Sequence, residues 1–315
     1  MLYENKGDYL KPGMICLAAF LILAMVTACG GRVDVAATGG GPDGYWPMRI
    51  VLASTAGEDD PSALGGEEIL RLAMEEYLGI EVAMLPDAVF NISLEALRAG
   101  HLDVMLVTPM SFILAQQLAD IVPLVAGTVE GTLPYKTVFV TRADRDDINT
   151  VSDLRGKSFA FVDPASSSGY MYPKAHLVTN YDLDPDRLLT SGYFFEYVTF
   201  SGRHDASVMG VNLGDFDAAA VAYAILHMFP DLFSADDIKI IGATDIIPPP
   251  LTIARSSLPQ SLRDAILSFH LQFDDEFYFE NSRHGNPNAR YRQAFAEEYD
   301  VIAETIAALN LQIGG

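Results

Sequence analysis

Short apolar runs alternate with amphipathic runs along most of the chain, and this alternation restricts the fold more than any other feature. The first three runs are MRIVLAS at 48–54, EEILRLAMEEYLG at 67–79 and IEVAML at 80–85. Apolar residues recur every three or four positions in the middle run, which predicts a helix between two buried strands. Units of strand, helix and strand build parallel sheets, so an α/β protein is predicted.

The alternation comes in two series. The first covers 48–127 and is typical of one doubly wound sheet. The second begins with YKTVFVTR at 135–142 and continues through predicted strands at 158–163, 216–221 and 238–243. No internal sequence repeat relates the two series. They predict two lobes, each a mainly parallel sheet flanked by helices.

The segment after the second series is expected to return to the first lobe. Three consecutive prolines at 248–250 break the pattern, and the residues downstream supply a strand and helices, including a long helical run at 290–311, without a sheet of their own. The predicted lobes are therefore 47–134 plus 245–315, and 135–244. Two hinge crossings join them, with a ligand cleft at the carboxyl ends of the strands.

The amino-terminal segment is expected to be a targeting signal. Residues 14–25 read MICLAAFLILAM, an apolar run too short for a spanning helix of about 20 residues. The following VTACG resembles a bacterial lipobox. We expect a lipoprotein signal peptide at 1–28, with Cys29 as the lipidated residue, and an uncleaved anchor is the alternative. Residues 29–46 are rich in glycine and lack an apolar period, which predicts a flexible tether.

Charge and cysteine content exclude several functions. A net charge of -22 argues against nucleic acid as a partner, which requires basic patches. Any anion site must then be built locally from backbone N–H groups and hydroxyls. Cys16 lies in the predicted signal, so with Cys29 lipidated the mature domain has no thiol. Scattered histidines without an HExxH motif predict no metal, and neither a cofactor nor an enzyme activity is expected.

A serine triplet marks the predicted site. Ser166, Ser167 and Ser168, followed by Gly169, stand between the predicted strand at 158–163 and an apolar-periodic helix. The first turn of such a helix presents free N–H groups and a partial positive charge, and the serines add hydroxyl donors. An ordinary serine helix cap is the alternative. At the mouth of an α/β cleft, an anion site is favoured.

Three stretches resemble the phosphate, phosphite and phosphonate-binding receptors of ABC importers. DLRGKSFAFVDPASSSGYMYP at 153–173 is similar to that family's signature, LEALRAGHLDVMLVTPMSFILA at 94–115 to a first-lobe segment, and SGRHDASVMGVNLGDFDAAAV at 201–221 to a second-lobe segment. The resemblance implies the two-lobed periplasmic-binding-protein fold, with the serine turn holding an oxyanion and ABC permease subunits as partners.

The resemblance also implies roles for single residues. His204 matches a histidine beside the oxyanion, which would donate as neutral imidazole or form an ion pair when protonated. Phe90 and Phe112 correspond to two ligand tyrosines and keep the ring wall without the hydroxyls. Ala224 and Pro249 correspond to carboxylates that hold the ammonium of aminoalkyl phosphonates. Their loss favours a ligand without an ammonium group.

Further hydroxyl donors are expected in the first lobe. Thr108 and Ser111 follow the predicted strand at 102–107, and Ser54 with Thr55 ends the first strand, although helix capping explains such residues equally well. Together these features predict a monomeric, lipid-anchored, extracytoplasmic solute-binding protein of an ABC importer. Its ligand would be phosphite, phosphate or a short alkyl phosphonate. A ligand-sensing adaptor for a signalling receptor and an enzyme on the same fold are the alternatives.

Overall fold

A computed structural model describes residues 41, 44–54, 63–85, 90–128, 133–228, 236–281 and 284–311, with the backbone alone at 63–65, 90 and 91. The predicted signal peptide at 1–28 and Cys29 lie outside the described residues. Within the described ranges, no helix combines the length and the apolar character needed to cross a membrane.

Strands are short and mostly buried. They are β1 (Arg49–Ser54), β2 (Glu81–Met84), β3 (Val104–Val107), β4 (Ile121–Gly127), β5 (Thr137–Arg142), β6 (Ser158–Phe161), β7 (Tyr197–Phe200), β8 (Ala218–Ala222), β9 (Ile238–Ala243), β10 (Leu251–Arg255) and β11 (Tyr291–Gln293).

Helices connect the strands and cover the sheets. They are α1 (Ala63–Leu78), α2 (Phe90–Ala99), α3 (Pro109–Leu118), α4 (Tyr172–Tyr181), α5 (His204–Leu213), α6 (Ile225–Met228), α7 (Gln260–Gln272), α8 (Glu276–Glu280) and α9 (Asp300–Ala308). Short 3-10 turns at Val151–Leu154 and Ala296–Tyr299 and a π-helical turn at Ser167–Met171 complete the described helical segments.

The strands form two sheets, as predicted. The first has the order β2-β1-β3-β10-β4-β11, and the second β7-β6-β8-β5-β9. β1 is parallel to β2 and β3, and β6 is parallel to β7 and β8. The strands that follow the two crossings, β5 and β10, are each inserted antiparallel between two others. The prediction of two mainly parallel lobes is confirmed, with β5 antiparallel in the second sheet and β10 and β11 antiparallel in the first.

The returning segment differs from its prediction. It does more than cover the first lobe, because β10 lies inside the first sheet and β11 pairs antiparallel with β4 at its edge. The run at 290–311 is thus a strand followed by short helical segments. Strand β7 was not predicted. Trp46, assigned to the tether, is buried in the first core, and its indole N–H donates to Ser261 Oγ at 2.8 Å.

The two sheets repeat one arrangement that sequence comparison did not reveal. Asp103, just before β3, accepts a hydrogen bond from the Val51 N–H of β1 at 2.8 Å. Asp217, just before β8, accepts one from the Ser158 N–H of β6 at 2.8 Å. Each aspartate also pairs with an arginine at the end of the inserted strand or just beyond it: Asp103 with Arg255 and Asp217 with Arg145. Both lobes are therefore built on one plan.

Apolar clusters cover both faces of each sheet, and one cluster joins the lobes. Met171, from the second lobe, is fully buried in a first-lobe cluster that includes Phe112 and Tyr299. Three α4 residues, Tyr172, Ala175 and Val178, pack against the same cluster. Helix α4 therefore lies against the first lobe, which brings the turn before it to the boundary between the sheets.

Candidate functional site

The serine turn follows β6 at the carboxyl edge of the second sheet. Ser166 has extended backbone, and its Oγ accepts a hydrogen bond from the Gly169 N–H at 2.9 Å. The alternative of an ordinary serine helix cap is therefore correct for Ser166, because its side chain caps the helical turn. That turn is π-helical over Ser167–Met171, a conformation often found at functional sites.

Gly169 is required by close packing. Its N–H reaches Ser166, its carbonyl accepts from the Val162 N–H at 3.0 Å, and a β-carbon at this position would overlap the Val162 side chain. Any larger residue would push the turn away from the strand. The glycine thus holds the three serines at the strand end.

The serine hydroxyls accept hydrogen bonds from neighbouring groups while keeping their own hydrogens. Ser166, Ser167 and Ser168 are at most 1% exposed. A hydroxyl has one hydrogen to donate and two lone pairs to accept with. Within the described residues, the partners of these oxygens all donate to them: the Gly169 N–H to Ser166, the Met110 N–H to Ser167, and the Tyr135 O–H and His204 Nε2–H to Ser168. Three O–H donors consequently remain for an acceptor.

The state of His204 follows from its other ring nitrogen. The Ala222 N–H donates to Nδ1 at 3.0 Å, so the ring proton lies on Nε2, 3.5 Å from Ser168 Oγ. Burial lowers the pKa of His204 to about 3, against a smaller opposing effect of Asp205. Of the two predicted forms, His204 takes that of a neutral donor rather than an ion-pair partner.

The same tautomer argues against a nucleophilic triad. A serine nucleophile needs a histidine that accepts its proton at Nε2 and donates Nδ1–H to a carboxylate. Here His204 donates at Nε2, and its Nδ1 accepts from the backbone N–H of Ala222. The orientation of His204 therefore does not suit it to activate Ser168 as a nucleophile.

Two residues of the site were missed by the sequence analysis. Tyr135 donates its O–H to Ser168 Oγ at 3.3 Å, and Thr137 Oγ1 donates to the Ser168 carbonyl at 2.7 Å. Thr137 is the first residue of β5, and Tyr135 lies two residues before it. Because β5 is antiparallel to β8, the amino end of β5 lies at the same edge as the carboxyl ends of the other strands. A parallel β5 would have placed them at the opposite edge.

Thr108 and Ser111 lie beside the serine turn, in contacts that join the two lobes. Thr108 caps α3, accepting from the Ser111 N–H at 3.3 Å. Ser111 Oγ donates to the Ala165 carbonyl at 3.1 Å, and the Met110 N–H donates to Ser167 Oγ at 2.8 Å. The carboxyl edges of both sheets therefore meet at the serine turn.

The remaining predicted site residues are less closely tied to the turn. Phe112 is fully buried in the first-lobe cluster, edge-on to Tyr299 at a centroid distance of 5.3 Å. The side chain of Phe90, at the start of α2, lies outside the described part of the structure. Ser54 ends β1, and its Oγ is buried with no hydrogen-bond partner among the described residues, which do not include Thr55. Their contacts with a ligand stay predictions.

The groups that donate hydrogen bonds to the serine turn carry no charge. Each group that donates to the three serines is uncharged, and burial raises the pKa of the nearby Asp163 carboxyl, whose bond to the Ala165 N–H acts in the opposite direction. Within the described residues, no cluster of histidine, cysteine, aspartate or glutamate is arranged to hold a metal ion. An oxyanion at this turn would therefore meet neutral donors, as the sequence analysis expected.

Comparison with known proteins identifies the family of the chain. The family model described as an ABC transporter, phosphonate, periplasmic substrate-binding protein matches residues 67–297. The phosphate-import protein PhnD of Mycolicibacterium smegmatis is 29% identical over 214 residues, which cover 65% of this chain and 63% of that protein. The match thus spans less than two thirds of the relative's length.

Solved structures share the fold. A binding protein component of an ABC phosphonate transporter from Pseudomonas aeruginosa has a TM-score of 0.72 and 15% identity, covering 83% of this chain and 86% of its own. PhnD1 from Prochlorococcus marinus, in complex with methylphosphonate, has a TM-score of 0.70 and 18% identity, covering 84% and 99%. These relatives are binding proteins rather than enzymes. Because the family model covers well over half of the chain, the protein belongs to the periplasmic substrate-binding proteins of phosphonate ABC transporters.

Proposed function

We propose that this protein is the extracytoplasmic solute receptor of an ABC importer and binds a small phosphorus oxyanion between its lobes. The observation that carries the proposal is the set of three buried serine hydroxyls, each accepting a hydrogen bond and keeping its own hydrogen. Buried O–H and N–H donors bind an oxyanion strongly because no water competes with them. Ligand docks on the turn, the first lobe covers it, and the closed form engages permease subunits.

Phosphite, phosphate and short alkyl phosphonates fit the donors best. All three present tetrahedral oxygens to the turn, and none carries an ammonium group. By the resemblance, Ala224 and Pro249 correspond to the carboxylates that would hold an ammonium, and the Pro249 carbonyl accepts from the Tyr299 O–H at 2.9 Å. Two relatives, a phosphate-import protein and a protein solved in complex with methylphosphonate, support the same ligand class.

A thermal-shift screen tests the ligand class. The full-length protein would be heated with phosphate, phosphite, methylphosphonate, 2-aminoethylphosphonate, a sulfonate and acetate. Ligands that bind only the folded state raise the melting temperature. We expect stabilisation by at least one of the first three and a smaller effect of 2-aminoethylphosphonate. Stabilisation by none of the phosphorus oxyanions contradicts the proposal.

Anchoring and oligomeric state are tested separately. Cys29 is the proposed site of lipidation, so Cys29→Ala should move the protein from the membrane fraction to the soluble fraction, and mass spectrometry of the native amino terminus should show acyl groups. Light scattering should give a monomer with and without ligand. Unchanged membrane association of the variant would contradict the lipid anchor.

A further inference from the structure

The first turn of α3 completes its hydrogen bonds with a group from the other lobe. Pro109 has no N–H, the Ser111 N–H donates to Thr108 Oγ1, and the Phe112 N–H donates to the Thr108 carbonyl at 2.9 Å. The Met110 N–H donates to Ser167 Oγ at 2.8 Å, across the boundary between the lobes. Ser167 thus caps a helix of the first lobe from the second.

A second hydrogen bond crosses the boundary beside the first. Ser111 Oγ donates to the Ala165 carbonyl at 3.1 Å and accepts from the Thr108 O–H at 3.1 Å. Ser111 is fully buried. Both cross-lobe bonds are therefore shielded from water, and separating the lobes would break both.

We infer that these two bonds form a latch, made of Met110 and Ser111 in the first lobe and Ala165 and Ser167 in the second, which couples ligand binding to lobe closure. The inference rests on the proposed function for the ligand that Ser167 meets. Ser111 is a positioning residue in this latch, since its hydroxyl is committed to the protein rather than to the anion.

Coupling arises from the two roles of the Ser167 hydroxyl. Its oxygen accepts the Met110 N–H, and its hydrogen is available to the anion. A hydroxyl that donates to an anion becomes a better acceptor, so a bound ligand strengthens the Met110 bond. That bond exists only when the lobes touch. The positive end of the α3 helix dipole lies at Met110, and it also favours an anion bound at Ser167 when the lobes touch.

Because every ligand requires the same closure of the lobes, weakening the latch should lower the affinity for every ligand by the same factor. Ser111→Ala removes one cross-lobe bond and leaves the serine turn unchanged. We expect the dissociation constants of phosphate, phosphite and methylphosphonate to rise by the same factor, roughly 2- to 12-fold. The dissociation rate should carry most of the change, and the Met110 amide should exchange faster with deuterium in the ligand-free protein.

The matched control is a variant that removes a different, exposed hydrogen bond between the lobes. This bond runs from Asn310 Nδ2 to Asp186 Oδ1 at 3.0 Å. Asn310 has a φ of 50°, which glycine adopts easily, so Asn310→Gly removes the bond without straining the backbone. Water competes for this contact, and we expect less than a 2-fold change in affinity. Ser111→Gly repeats the latch test if the alanine variant is unstable, with the melting temperature measured for each.

The test combines calorimetry with the three anions and hydrogen exchange at Met110, on the full-length protein and its variants. Equal weakening together with faster Met110 exchange supports the latch. The latch is contradicted if the dissociation constants of the three anions rise by different factors, if they do not change, or if the exchange of the Met110 amide does not change. If the native protein binds none of the anions, the proposed ligand class is wrong, and the exchange of Met110 in the ligand-free Ser111→Ala variant still decides whether the latch exists.

Discussion

The backbone N–H of Ala222 donates to His204 Nδ1 at 3.0 Å, which makes the buried imidazole a neutral donor at Nε2. Burial lowers its pKa to about 3, so His204 should take up no proton when ligand binds between pH 5.5 and 8. Calorimetry in two buffers with different ionisation enthalpies measures this uptake, after correction for the ligand's own ionisation. A full proton taken up by the native protein near pH 6.5, and lost in His204→Gln, would contradict this assignment.

The same burial makes folding stability depend on pH. An unfolded histidine has a pKa of about 6.5. Between that value and about 3, the unfolded state binds the proton and the folded state does not, so the free energy of unfolding should fall on acidification, by up to about 1.4 kcal/mol per pH unit from this residue. Urea unfolding at pH 7 and pH 5 measures it. His204→Gln should reduce the dependence, and an unchanged dependence in this variant would contradict the assignment.

Tyr135→Phe tests the phenolic donor. The substitution keeps the ring and removes the O–H that donates to Ser168. Because this bond joins two neutral hydroxyls and acts on the anion through Ser168, affinity for a phosphorus oxyanion should fall by roughly 2- to 12-fold. Tyr193→Phe is the matched control, since its hydroxyl accepts from the Asp184 N–H away from the site. If both variants change the affinity for the anion equally in calorimetry, Tyr135 does not belong to the binding site.

Gly169→Ala tests the geometry of the turn. A β-carbon would overlap Val162, so the turn must move and the serine hydroxyls with it. We expect loss of measurable anion binding and destabilisation of about 1–3 kcal/mol in urea unfolding. Gly156→Ala provides a glycine control with open space around its β-carbon, although its φ of 74° adds local strain. Native affinity in Gly169→Ala would show that the turn is not the site.

Asp103→Ala tests the plan shared by both lobes. The change leaves the Val51 N–H and the partly buried Arg255 without their partner. A loss of about 3 kcal/mol in the free energy of unfolding is expected. Asp144→Ala, which removes an exposed ion pair with Arg142, should cost less than about 1 kcal/mol. Comparable losses would contradict the structural role of Asp103.

Periodicity predicted both lobes and most strands, because buried strands and amphipathic helices leave local patterns. It did not predict the direction of β5, which depends on pairing with β8 and β9 far along the chain. For that reason Tyr135 and Thr137 were missed. The shared plan of Asp103 and Asp217 was also hidden, since it consists of hydrogen bonds between strands rather than similar sequence.

The serine turn was predicted because glycine and three hydroxyl residues between a strand and a helix form a local signal. The partners of its oxygens could not be predicted. They come from α3, from His204 at the start of α5 and from the crossing before β5, segments that only the tertiary fold brings together.

The most direct measurement is titration calorimetry of the native protein and of Ser168→Ala with phosphate, phosphite and methylphosphonate. Ser168 accepts from Tyr135 and His204 and keeps its own hydrogen for the anion. The native protein should bind at least one of the three with a stoichiometry of one, and Ser168→Ala should weaken that binding by about 10-fold or more. Absence of binding to all three, or equal affinity of native protein and variant, would contradict the central claim.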